Sequence, residues 1–178
     1  MITGIVLLIT VAFMNQLLNS IKAILIERKE KIAIAESVTG GDVQSAFSLT
    51  EDALSFFEGG MTVYNIHQKI RHLHVDPAEA LASNCVSEKV VSEMAVAVTK
   101  LFRSDWGIAD TGYASPVPEK GIKDLYAWVA FCYKGTIMHT EKIVASQNNP
   151  KDVRLYYRDR MLQLFLSVLS SSTTIDAN

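Results

Sequence analysis

Cysteine, proline and glycine are all scarce in this chain of 178 residues, at two, four and nine copies. Two cysteines cannot build a disulfide framework, and Cys85 and Cys132 are too far apart in sequence for a short metal-ligand motif. They suit small buried hydrophobes in a reducing compartment, so a cytoplasmic location is expected. Glycine and proline this sparse exclude collagen-like and low-complexity chains. Neither charge sign dominates: 17 basic side chains face 19 acidic ones, for a net charge of −2 and a sequence pI near 6.1. Without a global basic field, no nucleic-acid partner is expected. Long hydrophobic runs are missing too, apart from Met1 to Phe13, whose polar side chains are Thr3 and Thr10. That segment lacks the basic start and small-residue cleavage site of a signal peptide. It also falls short of the roughly 20 apolar residues needed to span a bilayer, so no membrane partner is expected. Two readings of it remain: an arm packed on the domain or on a partner subunit, or a chain whose native start is Met14.

What is present is 49% hydrophobic and 20% charged, the make-up of one globular domain with a real core. The pattern predicts an apolar extension over 1–13, one domain over 14–172 and a polar tail over 173–178. From Asn15, Leu17, Leu18, Ile21, Ile24 and Leu25 recur at helical spacing. A β-branched run at 31–35 predicts the first strand, Gly40-Gly41 a turn, and 42–47 a helix. Gly59-Gly60 opens a second strand at 61–64, followed by a short helix ending at Leu73. Asp76-Pro77 marks a helix start, and Ser87 caps the next helix, with Val90, Val91, Met94, Val98 and Leu101 inward. A third strand is expected at 106–109, a loop at 110–123, and a hairpin of 125–133 and 136–144 about Lys134-Gly135. A helix at 152–169 closes the domain. Helices alternating with strands, then a hairpin, predict an α/β fold: a three-layer α/β/α sandwich with a mostly parallel mixed sheet.

Two stretches can carry chemistry. Glu36-Ser37-Val38-Thr39-Gly40-Gly41 lies at the carboxyl end of a strand, where α/β proteins bind ligands. A serine there sits beside helix N-terminal amides that could steady an oxyanion; equally, Ser37 and Thr39 could be plain helix caps. In the second stretch, Tyr64 ends a strand and Lys69 follows on a helix. A desolvated lysine can act as base for a serine nucleophile, although a lone lysine on an amphipathic helix is ordinarily a surface residue. His67, His72 and His74 tempt a metal reading. No acidic partner recurs at ligand spacing and Lys69 and Arg71 add positive charge, so no metal is expected.

Together, Glu36 to Gly41, the segment from Gly59 to Lys69, and Val86-Ser87-Glu88 before a long helix resemble the C-terminal domain of the competence/damage-inducible protein CinA. The resemblance covers roughly residues 14–171. Many members of that family are nicotinamide mononucleotide amidohydrolases, so it implies deamidation of a pyridine nucleotide with release of ammonia and no cofactor. Carried over by position, it makes Ser37 the nucleophile, Lys69 its base, and Tyr64 an orienting or relaying hydroxyl. Thr39, Gly40 and Gly41 would shape the substrate site, joined by Gly107, Asp110 and Arg154. A small-molecule nucleotide and a homo-oligomer are the expected partners. The chain also departs from the family. Where the family usually has Thr-Gly-Ile-Ala-Gly-Pro-Gly-Gly, this chain has Trp106 to Tyr113, placing Asp110 and Tyr113 where small residues would admit a phosphate. The family's later Gly-Asp-Arg is Asn148-Asn149-Pro150, leaving Arg154, with Arg158 a turn beyond. These departures imply weak phosphate binding and keep a second reading open: a nucleotide-binding or interaction module with impaired turnover.

Overall fold

A computed structural model describes residues 2–172, with side chains from residue 12 onward. The tail expected at 173–178, and the side chains of the apolar extension up to residue 11, lie outside the described residues. Among the described residues five strands form one sheet: β1 (Ile32–Glu36), β2 (Phe57–Thr62), β3 (Trp106–Gly112), β4 (Leu125–Tyr133) and β5 (Thr136–Ala145). Their order is β2-β1-β3-β4-β5. β1 runs parallel to both β2 and β3, while β4 is antiparallel to β3 and β5. The sheet is thus mixed, with parallel pairing confined to its first three strands and a hairpin finishing it.

Six α-helices of the described residues cover the two faces: α1 (Ile2–Arg28), α2 (Asp42–Ser48), α3 (Ile66–Leu73), α4 (Pro77–Ala82), α5 (Glu88–Phe102) and α6 (Pro150–Ser171). Side chains alternate across a strand, so neighbouring residues of β1 and β3 feed two cores. Ile32, Ile34, Trp106 and Ile108 join Leu25 of α1, Phe47 of α2 and Phe165 of α6. Ala33, Ala35 and Ala109 join Leu73 of α3, Ala80 of α4 and Val91 and Met94 of α5. Small residues on this second face let α5 lie close. A Cβ on Gly107 would fall 2.1 Å from Thr99 Oγ1 and 2.3 Å from the Ala95 carbonyl.

The starts of α4 and α5 follow their signals, and α6 has a cap of the same kind. Asp76 accepts the Ala78 amide with Pro77 in the first turn, Ser87 accepts the Val90 amide, and Asn149 accepts the Asp152 amide ahead of α6. Several elements differ from what the pattern predicts: β2 is Phe57–Thr62 rather than 61–64, which leaves Tyr64 beyond the strand, and α6 is Pro150–Ser171 rather than 152–169. α1 continues N-terminally from Asn15 to Ile2 as one helix, since no proline or cap interrupts it. β3 does not stop at Ala109: Asp110, Thr111 and Gly112 pair with Val129, Trp128 and Ala127. A buried charged residue reads as loop in sequence, and here it belongs to the sheet. Among the described residues, no helix is long and apolar enough to cross a membrane.

Candidate functional site

The chain leaves β1 toward α2 on one face and β2 toward α3 on the other. Such a reversal opens a crevice at the carboxyl ends of parallel strands. A cavity of about 600 Å3 lies there, walled by Ser37 after β1, Tyr64 and Lys69 after β2, Thr111 to Tyr113 from β3, and Arg154 of α6. Lys69 is buried in the first turn of α3, started by Asn65, whose side chain accepts the Gln68 amide. Its Nζ lies 2.8 Å from Ser37 Oγ and donates to the Val63 carbonyl at 2.9 Å. Loss of water around the amine lowers its pKa below 10.5, against the opposing pull of Cys85 and Asp110. The structure therefore brings Ser37 and Lys69 together.

The turn carrying Ser37 is held from beneath by two buried carboxylates. Asp110 Oδ1 accepts the amides of Ser37, Val38 and Thr39 at 3.2, 2.8 and 3.2 Å. Glu36 accepts the amides of Gly41 and Val43 through Oε2 and that of Gln44 through Oε1. The amides expected to be free at the start of α2 are thus engaged by the protein's own side chains. Thr39 is buried, and its hydroxyl lies between Glu36 Oε2 and Asp110 Oδ2 rather than facing the cavity. The expectation that Asp110 confronts a phosphate is overturned. Its carboxyl is fully buried under the Ser37 turn and lines no part of the cavity.

Residues 14–169 match the CinA C-terminal domain. The chain belongs to that family. It is 32% identical over 152 residues to a CinA-like protein of Prochlorococcus marinus, a match covering 84% of this chain and 35% of that protein. The chain thus spans about a third of the length of that curated relative. A Mycoplasma genitalium protein is 32% identical over 141 residues, covering 78% of this chain and 88% of its own. A crystal structure of a CinA superfamily protein from Enterobacter cloacae superposes with a TM-score of 0.83 at 27% identity, covering 88% of this chain and 92% of that one.

Within the CinA-type crevice the other expected site residues separate. Tyr64 sits on the rim, 65% exposed, and its hydroxyl accepts from Arg154 Nη2 at 3.4 Å. The hydroxyl makes no hydrogen bond to Ser37 or Lys69, so a relay role is not what the geometry shows. Arg154 enters the cavity across Gly40, where a Cβ would come 3.0 Å from its Nη1. Gly40 has φ +68°, a conformation glycine adopts without strain. Arg158 instead pairs with Asp159, Nη2 to Oδ1 at 2.6 Å, in a separate groove. Gly41 gives its amide to Glu36. Gly107 is a helix-packing residue under α5, outside the cavity. Trp106 begins β3 at its far end, its indole donating to Glu30 at 2.7 Å. Seven residues of strand place it about 20 Å from the cavity end.

Tyr113 does reach the cavity, pinned by Asn84 Nδ2 donating to its hydroxyl at 3.0 Å. Asn84, Cys85 and Lys120 also line the cavity, and nothing in their sequence surroundings singled them out. Asn84 and Cys85 are held at φ 51° and 63° in the turn before α5, a conformation that spacing does not reveal. His72 Nε2 shares a hydrogen bond with Gln68 Oε1 at 2.9 Å. Among the described residues, no group of three or more His, Cys, Asp or Glu side chains is arranged around a metal position.

Proposed function

We propose that this CinA-family domain hydrolyses the carboxamide of a pyridine nucleotide such as nicotinamide mononucleotide, with Ser37 as nucleophile and Lys69 as base. The observation that carries this reading is the 2.8 Å approach of Lys69 Nζ to Ser37 Oγ inside a cavity. In the neutral amine, two protons remain for donation, one of them to Val63, and the lone pair faces the Ser37 hydroxyl. Ser37 Oγ attacks the amide carbon while its proton passes to Nζ. The tetrahedral intermediate then expels the amide nitrogen, which takes the proton from Lys69 and leaves as ammonia. Water attacks the acyl-serine, returns a proton through Lys69 and frees the carboxylate.

Charge in the cavity suits an anionic nucleotide. Beside the neutral Lys69 amine its lining includes Lys120 and Arg154 and no Asp or Glu. Arg154 Nε is buried with no hydrogen-bond partner, so a guanidinium group stands ready for a ligand oxygen. One observation favours the second reading, a nucleotide-binding module without turnover. With the Ser37, Val38 and Thr39 amides given to Asp110, stabilisation of an oxyanion falls to side chains such as Arg154.

Ammonia release from nicotinamide mononucleotide separates the two. The parent should release ammonia and Ser37→Ala should not, while the variant still binds the nucleotide and melts within a few degrees of the parent. The lost hydroxyl costs about 1 kcal/mol of stability, or roughly 2–4 °C. Nucleotide binding without ammonia release by the parent selects the binding module.

A further inference from the structure

Three oxygens under the nucleophile turn share fewer protons than their spacing needs. Thr39 Oγ1 lies 2.5 Å from Glu36 Oε2 and 2.6 Å from Asp110 Oδ2, all three being buried. Both are strong O–H···O distances, yet a hydroxyl carries one proton and can donate only once. The other contact needs a proton on a carboxyl group. Glu36 has its acceptor sites taken, with the amides of Gly41, Val43 and Gln44 and the Gln44 side chain all donating to it. Asp110 Oδ1 is likewise filled by three amides, whereas Thr39 is the one hydrogen-bond partner of Oδ2.

We propose that Asp110 is a positioning residue for Ser37 that works as a neutral acid. Its Oδ2–H donates to Thr39 Oγ1, Thr39 donates to Glu36 Oε2, and Oδ1 gathers the amides of Ser37, Val38 and Thr39. Three successive amides around one acceptor form a nest. In this chain the nest is filled by its own acid. The proton keeps two buried carboxylates from facing each other as like charges. Glu36 approaches from β1, Lys69 acts on the same site from α3, and β4 offers the apolar Val129 opposite Asp110. Burial and the Glu36 charge push the Asp110 pKa up to about 6.

Asparagine copies the neutral acid, since Nδ2 can donate to Thr39 while Oδ1 still accepts three amides. Two measurements on the full chain test the proposal, and the first needs no enzymatic activity. With 13C-labelled aspartate, the Asp110 carboxyl carbon, assigned by its loss in Asp110→Asn, should titrate near pH 6 rather than near about 3.9. The melting temperature of Asp110→Asn should gain on the parent's as pH rises from 4 through 6 and hold its lead at pH 8. Asp110→Ala, which abandons the three amides, should melt lower throughout. The second measurement rests on the proposed hydrolysis: the ratio of Asn-variant to parent ammonia release should rise between pH 5 and 7, then level. A carbon titrating below pH 4, or an Asn variant as unstable as Ala at pH 5, overturns the neutral acid whether or not the protein is an amidase. A flat or falling rate ratio, with the carbon titrating near 6, removes the role in positioning Ser37.

Discussion

An amine gives up its hydration to enter a protein interior, and Lys69 is only 2% exposed. Two polar neighbours, Ser37 Oγ and the Val63 carbonyl, replace that water, and neither is an anion. The folded state therefore favours the neutral amine, and the pKa lies below the 10.5 of a solvated lysine. The sign of the pH effect follows. Between the folded value and 10.5 the unfolded chain binds the extra proton, so stability rises with pH across that window and is lost as pH falls through the folded value. Lys69→Met should flatten this dependence. Urea unfolding at two pH values inside the window should show the parent gaining stability and the variant gaining less. The parent's ammonia release should climb as pH rises through the folded value, where Lys69 loses its proton, and level within the window, and Lys69→Met should release none at any pH. Equal pH slopes for the two proteins would mean that Lys69 stays charged in the fold.

At the scale of elements, the local signals that end and start helices were legible. Asp76-Pro77 and Ser87 mark the starts of α4 and α5 where the structure has them, because a cap is a short-range bond between a side chain and an amide two or three residues on. The Ser37 turn was legible for the same reason: its glycines and hydroxyls lie within six residues. Hidden were features that need a distant partner. Asp110 reads as loop because an isolated carboxylate does not belong inside a sheet. Only the amides of Ser37 to Thr39, 71 to 73 residues earlier in the chain, make it a core residue. Gly107 reads as one more strand residue near a site, and its part is set by α5. Gly107→Ala would drive a methyl group into Thr99 Oγ1 and the Ala95 carbonyl, the second of which belongs to helix backbone and cannot rotate away. α5 and β3 must then part along their contact, at about 1–3 kcal/mol or more for overpacking. With roughly 2–4 °C per kcal/mol for a chain of this size, calorimetry should show a clear fall in melting temperature. An unchanged melting temperature would show that α5 lies further from β3 than the structure places it.

The whole molecule sets its charge against the charge of its cavity. The chain carries a net −2, yet the crevice is lined by Lys69, Lys120 and Arg154 with no carboxylate among the lining residues. The sequence pointed the other way, toward a carboxylate repelling phosphate, because Asp110 could not be seen to turn beneath the Ser37 loop. With that carboxyl buried, the charges that face a ligand are those of Lys120 and Arg154, and low-dielectric walls concentrate their field. A nucleotide should therefore bind more tightly than its nucleoside, by about tenfold at low salt, equivalent to ~1.4 kcal/mol. The difference should shrink as salt rises, since the screening length falls from about 30 Å at 0.01 M to about 3 Å at 1 M. Arg154 is the cation whose donors are least satisfied, with Nε buried and unpartnered and Nη2 reaching only as far as the Tyr64 hydroxyl. Arg154→Gln should then remove most of the preference for the phosphorylated ligand while leaving nucleoside affinity close to the parent's. Titration calorimetry with nicotinamide mononucleotide and nicotinamide riboside, at two salt concentrations and on both proteins, measures all of these terms. Equal affinities for the two ligands at low salt, or a preference that survives Arg154→Gln, would place the phosphate outside this crevice.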